Sequence, residues 1–168
     1  MRSNLRTSIP LPALALLSAA FATPAFALDS VCETYLTAAE KSAQQPARHS
    51  VTEPGDGSSL EAIIVDGSYF AKLEGKWMKL PGSPGLQGER KLIAAIRSGK
   101  YPMTNCRKAG TERIDGVSMT VISYVLVLPG NPAEETRAFI GADGLVHRQT
   151  SGNSRVLHRY TGVRAPAL

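Results

Sequence analysis

Apolar residues dominate positions 9–21 without a helical or strand period. Arg2 and Arg6 precede this run, and the small-residue exit Ala25-Phe26-Ala27 follows it. This is the pattern of a cleaved export signal, with the cut expected after Ala27. A run of about 13 residues is too short to cross a hydrocarbon core, which needs about 20. Beyond it the spacing becomes helical: over residues 29–45, Cys32, Tyr35, Leu36 and Ala39 fall at i, i+3, i+4 and i+7. Asp29 or Ser30 stands ready to cap this amphipathic helix, and Pro46 ends it. Residues 48–53 alternate only weakly, and residues 54–59 are nearly all turn formers.

A three-strand meander is expected next, over residues 60–65, 68–73 and 76–80. Asp66-Gly67 and Glu74-Gly75 supply its two-residue turns. Proline and glycine break the pattern over residues 81–85. A second helix over residues 87–97 then puts Leu92, Ile93 and Ile96 on one face, and Gly99 stops it. Residues 81–86 read either as a flap over a cavity mouth or as a connector. The remainder is strand, over residues 104–114, 117–128, 136–142, 145–150 and 155–163. Residues 117–128 are so continuously apolar that both faces should be covered, which makes this strand the candidate for the centre of the sheet. The order helix, meander, helix, meander predicts an α+β fold, a curved antiparallel sheet packed against two helices.

Cleavage after Ala27 leaves 141 of 168 residues, 28–168, a length suited to one domain with a substantial core. It lowers Lys+Arg from 19 to 17 against 14 acidic residues, so the mature net charge is +3. That mild basicity, without a dense basic and aromatic surface, argues against nucleic acid. In an exported chain the pair Cys32 and Cys106 reads as a disulfide. Cys32 lies five residues past the expected cut, too far in to be a lipidated first residue, so the mature chain is expected to be soluble, without a transmembrane span.

The N-terminal helix, the Gly75-Lys76-Trp77 hairpin followed by Pro81, the segment 110–116 and the Asp143-Gly144-Leu145 turn occur in a telling order. In that order the chain resembles the LolA-like periplasmic lipoprotein-carrier half-barrels. The resemblance implies an incomplete barrel closed around two or so helices, with an apolar cavity for acyl chains or other lipophilic ligands and no cofactor. It also implies a periplasmic location; secretion is the alternative.

Candidate site residues follow from the strand registers. Turns at Asp143-Gly144 and Gly152-Asn153 place His147 opposite Ile140 and His158, on a face with Ala138, Leu145, Val156 and Tyr160. The two imidazoles read as half-buried lining residues. As metal ligands they lack a third partner, His49 being the only other histidine, so no metal is expected. The opposite face carries Arg137, Arg148, Arg155 and Arg159, with Phe139, Val146 and Leu157 between them. This stripe is either an ordinary solvated face or a contact for anionic headgroups or an acidic envelope partner. Trp77, Tyr69 and Phe70 either line a ligand cavity or pack as core. The cavity candidates are thus Tyr69, Trp77, Val121, His147, His158 and Tyr160. No Gly-x-Ser-x-Gly or His-Glu-x-x-His motif is present, and bridged cysteines cannot be nucleophiles, so a binding protein is expected rather than an enzyme. The rival readings are an envelope protein-interaction or inhibitor module with a filled core, and a metal or hydrolytic protein centred on His147 and His158.

Overall fold

Local turn chemistry and helix capping set most element boundaries in the computed structural model, which describes residues 28–82 and 84–168. The expected export signal, residues 1–27, lies outside the described residues. Asp29 caps the first helix, α1 (Ser30–Ala43), its side chain accepting from Val31 N at 2.8 Å. The following strands are β1 (Ala47–Glu53), β2 (Leu60–Val65), β3 (Ser68–Leu73) and β4 (Lys76–Leu80). Asp66 and Gly67 both have positive φ, 50° and 72°, as a tight hairpin between β2 and β3 requires. Helix α2 (Pro84–Arg97) starts inside the stretch expected to be flap or connector. Then come β5 (Met103–Ile114), β6 (Val117–Leu126), β7 (Glu135–Ile140), β8 (Val146–Ser151) and β9 (Ser154–Arg159).

The nine strands form one antiparallel sheet in the order β4-β3-β2-β1-β9-β8-β7-β6-β5. Neither edge closes on the other, so the sheet is open. It is also curved: β1 and β6, about 19 Å apart in a flat sheet, contribute side chains to one groove. With two helices packed on one face, this is the α+β half-barrel that the LolA-like resemblance implies.

One expectation about strand position is corrected. The apolar strand β6 lies second from the edge, not at the centre. Both its faces are nonetheless covered: Ile122 and Tyr124 lie under the helices, Met119 and Val121 in a small cluster with Phe139 on the other face. The centre instead belongs to β9 and β1, which pair from His49↔Arg159 to Glu53↔Arg155 and so join the first meander to the second.

Bulges make the remaining difference. Asn105 has φ +55°, and the β5–β6 register shifts between Thr104 and Arg107. The extra residue turns Cys106 toward the helix face, where it forms the disulfide with Cys32 across a Cα–Cα distance of 5.3 Å. A shift in the β7–β8 ladder separates Phe139↔Arg148 from Ile140↔Val146 and leaves His147 as the extra residue. His147 is therefore not opposite Ile140, and Val146 joins Ala138 and Ile140 on the helix face instead of the arginine face. The bulge's backbone is satisfied by the helix layer. Ser42 Oγ accepts from Val146 N at 2.9 Å, and Tyr160 Oη donates to Val146 O at 2.6 Å.

Candidate functional site

A cavity of about 240 Å³ lies between the helices and the sheet. The helices supply Leu36, Ala39, Leu92, Ile93 and Ile96, residues at the helical spacing of their apolar faces. Leu126 and Val156 continue the apolar wall on the sheet side. Its polar groups are few and tied to one another. Gln149 Nε2 donates to Tyr35 Oη at 2.8 Å and Tyr124 Oη at 3.1 Å, and the two tyrosine rings pack with centroids 4.4 Å apart. Burial raises the pKa of both phenols, Tyr124 well above its ordinary value, so they stay protonated. The site can thus offer apolar area with a few oriented donors and acceptors, the composition of a lipophilic binding site, and the one charged residue of its wall, Glu89, is paired with Arg48.

His158 reaches the same cavity. Its Nδ1 lies 2.9 Å from Ser50 Oγ, and burial pushes its pKa down to about 3, helped by the Arg48 guanidinium and His147. The imidazole is consequently neutral across the physiological range. Arg48 is 7 % exposed and forms a two-point ion pair with Glu89 on α2, at 3.2 and 2.7 Å. That pair ties α2 to the sheet, while Arg97 ties α2 to Glu33 and Glu40 of α1.

The remaining expected residues are dispersed. Tyr160 lies on the helix face beside His147 and His158, at centroid distances of 5.4 and 6.3 Å, and burial raises its pKa to about 12. His147 Nε2 is held by the Asp143 carboxylate at 3.0 Å. Tyr69 is on the helix face but at the start of α2, where its hydroxyl lies 3.7 Å from where a β-carbon on Gly85 would sit. Val121 is fully buried on the helix-free face with Met119 and Phe139, apart from the cavity. Trp77 is also on that face, edge-on to His49 at 6.3 Å and beside the C-terminal Ala167 and Leu168.

All four arginines of the stripe lie on the helix-free face, in two states. Arg137 pairs with Glu112 and Arg155 with Glu53. Arg148 lies over the Phe139 ring at 4.2 Å, and Arg159 contacts His49 Nδ1 at 3.5 Å.

Tyr35, Tyr124, Glu89 and Gln149 were not among the residues expected in a site. Gln149 had a usable signal, a polar residue at an inward position of an alternating strand; the tyrosines read only as core. Among the described residues no cluster of three His, Cys, Asp or Glu has metal-holding geometry, and no helix is long and apolar enough to cross a membrane.

No protein-family model and no curated protein sequence matches the chain. Among solved structures it is similar to the lipoprotein LppX of Mycobacterium tuberculosis, with 16% identity over 82% of this chain and 97% of that one, TM-score 0.49. It is similar also to LprF of Mycobacterium bovis, with 12% identity over 82% and 94%, TM-score 0.47. MucB in complex with MucA(peri) matches at 16% identity over 83% of this chain and 60% of that one, TM-score 0.46. At these values no ligand or partner transfers to this chain.

Proposed function

We propose that this is an exported binding protein of the periplasm that holds a lipophilic ligand, or the apolar part of one, between its two helices and the sheet. The observation that carries this reading is the apolar cavity with its buried Tyr35–Gln149–Tyr124 cluster. The export-signal pattern and the Cys32–Cys106 bridge support an oxidising compartment. Burial of ligand apolar surface would supply the affinity, at about 25 cal/mol per Å² before ordering costs. The volume is just under the ~300 Å³ at which small-molecule pockets begin, so the ligand part held is compact, or α2 moves outward to admit more. No acid–base chemistry is assigned to the cavity, because its phenols and imidazole are held in their neutral forms and Glu89 is engaged by Arg48.

Titration with the uncharged fluorescent probe N-phenyl-1-naphthylamine tests this reading. Wild-type protein should bind it saturably with enhanced emission. Ala39→Phe, which fills the cavity from α1, should abolish binding while circular dichroism and melting stay close to wild type. A folded protein that takes up no probe would favour the protein-interaction module with a filled core.

A further inference from the structure

We propose that the helix-free face carries a second, separate binding site, for the anionic head and first carbons of a single-chain amphiphile such as a fatty carboxylate. A groove of about 380 Å³ runs there between the β5–β6 hairpin tip and strands β1 and β9. Its walls are apolar: Ile114, Val117 and Met119 on the hairpin side, Val51 and Leu157 on the other. Arg148 and Arg159 stand among them. The volume falls within the small-molecule range of about 300–1,000 Å³.

Uncompensated charge gives the groove its selectivity. The other two arginines of the stripe are neutralised by Glu112 and Glu53, whereas no carboxylate among the described residues lies within 4.0 Å of Arg148 or Arg159. Three histidines also line the groove: His49 engages Glu61, His147 engages Asp143, and His158, shared with the helix-side cavity, lies against Ser50. Asp115 also lines the groove, at the hairpin tip, and makes no ion pair with either guanidinium. Arg148 is stacked on Phe139, which occupies the face of its guanidinium and leaves the in-plane N–H donors free. Its Nε is fully buried and has no hydrogen-bond partner. A planar carboxylate matches the pair of terminal guanidinium nitrogens that remain. Arg148 pairs with Leu157, so Arg159, two residues further along the same face, is its diagonal neighbour at about 7–8 Å between Cα atoms. One head group can therefore meet both cations while its chain lies against Val51, Val117 and Leu157.

The test is calorimetric titration of the exported protein with dodecanoate below its micelle concentration, alongside dodecanol and dodecyltrimethylammonium. Dodecanoate should bind at least tenfold more tightly than either. Arg148→Gln with Arg159→Gln should weaken it tenfold or more. Val117→Glu, at an exposed hairpin-tip position that leaves both arginines in place, should do the same without threatening the fold. Ala39→Phe, which closes the helix-side cavity, should leave dodecanoate affinity unchanged. Wild-type affinity retained in the arginine double variant or in Val117→Glu, or loss confined to Ala39→Phe, would overturn the proposal. Because the helix-side cavity is probed with an uncharged ligand, either site can fail without the other.

Discussion

Replacing both bridging cysteines, Cys32→Ala with Cys106→Ala, should destabilise this protein more than any single surface change. The bridge spans a sequence separation of 74 and ties the buried α1 residue Cys32 to β5. β1 to β4 and α2 all lie within that loop. Opening it returns loop-closure entropy to the unfolded chain, worth about 4 kcal/mol at 25 °C in the loop-entropy model. For a chain of this length such a loss should lower Tm by roughly 12–16 °C. Urea unfolding followed by circular dichroism measures it. The midpoint should fall and the m-value should rise, because an unbridged chain expands further on unfolding. A loss below about 1 kcal/mol with an unchanged m-value would refute the reasoning, since it would mean the loop was already restricted in the unfolded chain.

Two further predictions concern the polar groups of the cavity. His158 has a pKa of about 3 in the fold against an ordinary 6.5, so below pH 6.5 the unfolded chain binds the proton that the folded one excludes. Its contribution is fully present above pH 6.5 and is lost as pH falls toward 3, by about 2 kcal/mol at pH 5. Urea midpoints at pH 7 and pH 5 should diverge in the wild type and converge in His158→Gln; an equal pH dependence in both would contradict this. Gln149→Leu removes the donor shared by Tyr35 and Tyr124 and should cost about 1–3 kcal/mol, read by the same unfolding assay, with no cost if the two phenols already satisfy each other.

What the sequence made legible was local. The boundaries of β2, β3 and β4 follow from Asp66-Gly67 and Glu74-Gly75, whose conformational preferences act within two residues. The helices were visible because burial against one layer imposes a period, and the same residues, Leu36, Ala39, Leu92, Ile93 and Ile96, line the cavity. The central role of β1 was hidden, because His49, Ser50 and Thr52 give it a polar composition and its pairing with β9 joins residues more than 100 positions apart. The bulges at Asn105 and His147 were also hidden, since counting from a turn assumes an unbroken ladder. One extra residue moved Val146 to the opposite face, and the His147–Ile140 register failed with it, while the β8–β9 register counted from Gly152-Asn153 holds. The arginine stripe was readable as a row, but which members are neutralised depends on Glu53 and Glu112, supplied by β1 and β5. Tyr35, Tyr124 and Gln149 come together only when α1 closes on the sheet, so no local pattern could have marked them as a unit.

Mass spectrometry of organic extracts from protein purified without detergent out of a periplasm tests the central claim most directly, with Ala39→Phe prepared in parallel. The account predicts a lipophilic compound near one per protein in the wild type and its absence from the folded variant. Wild-type protein that is empty, or a compound retained equally by Ala39→Phe, would contradict a ligand held between the helices and the sheet.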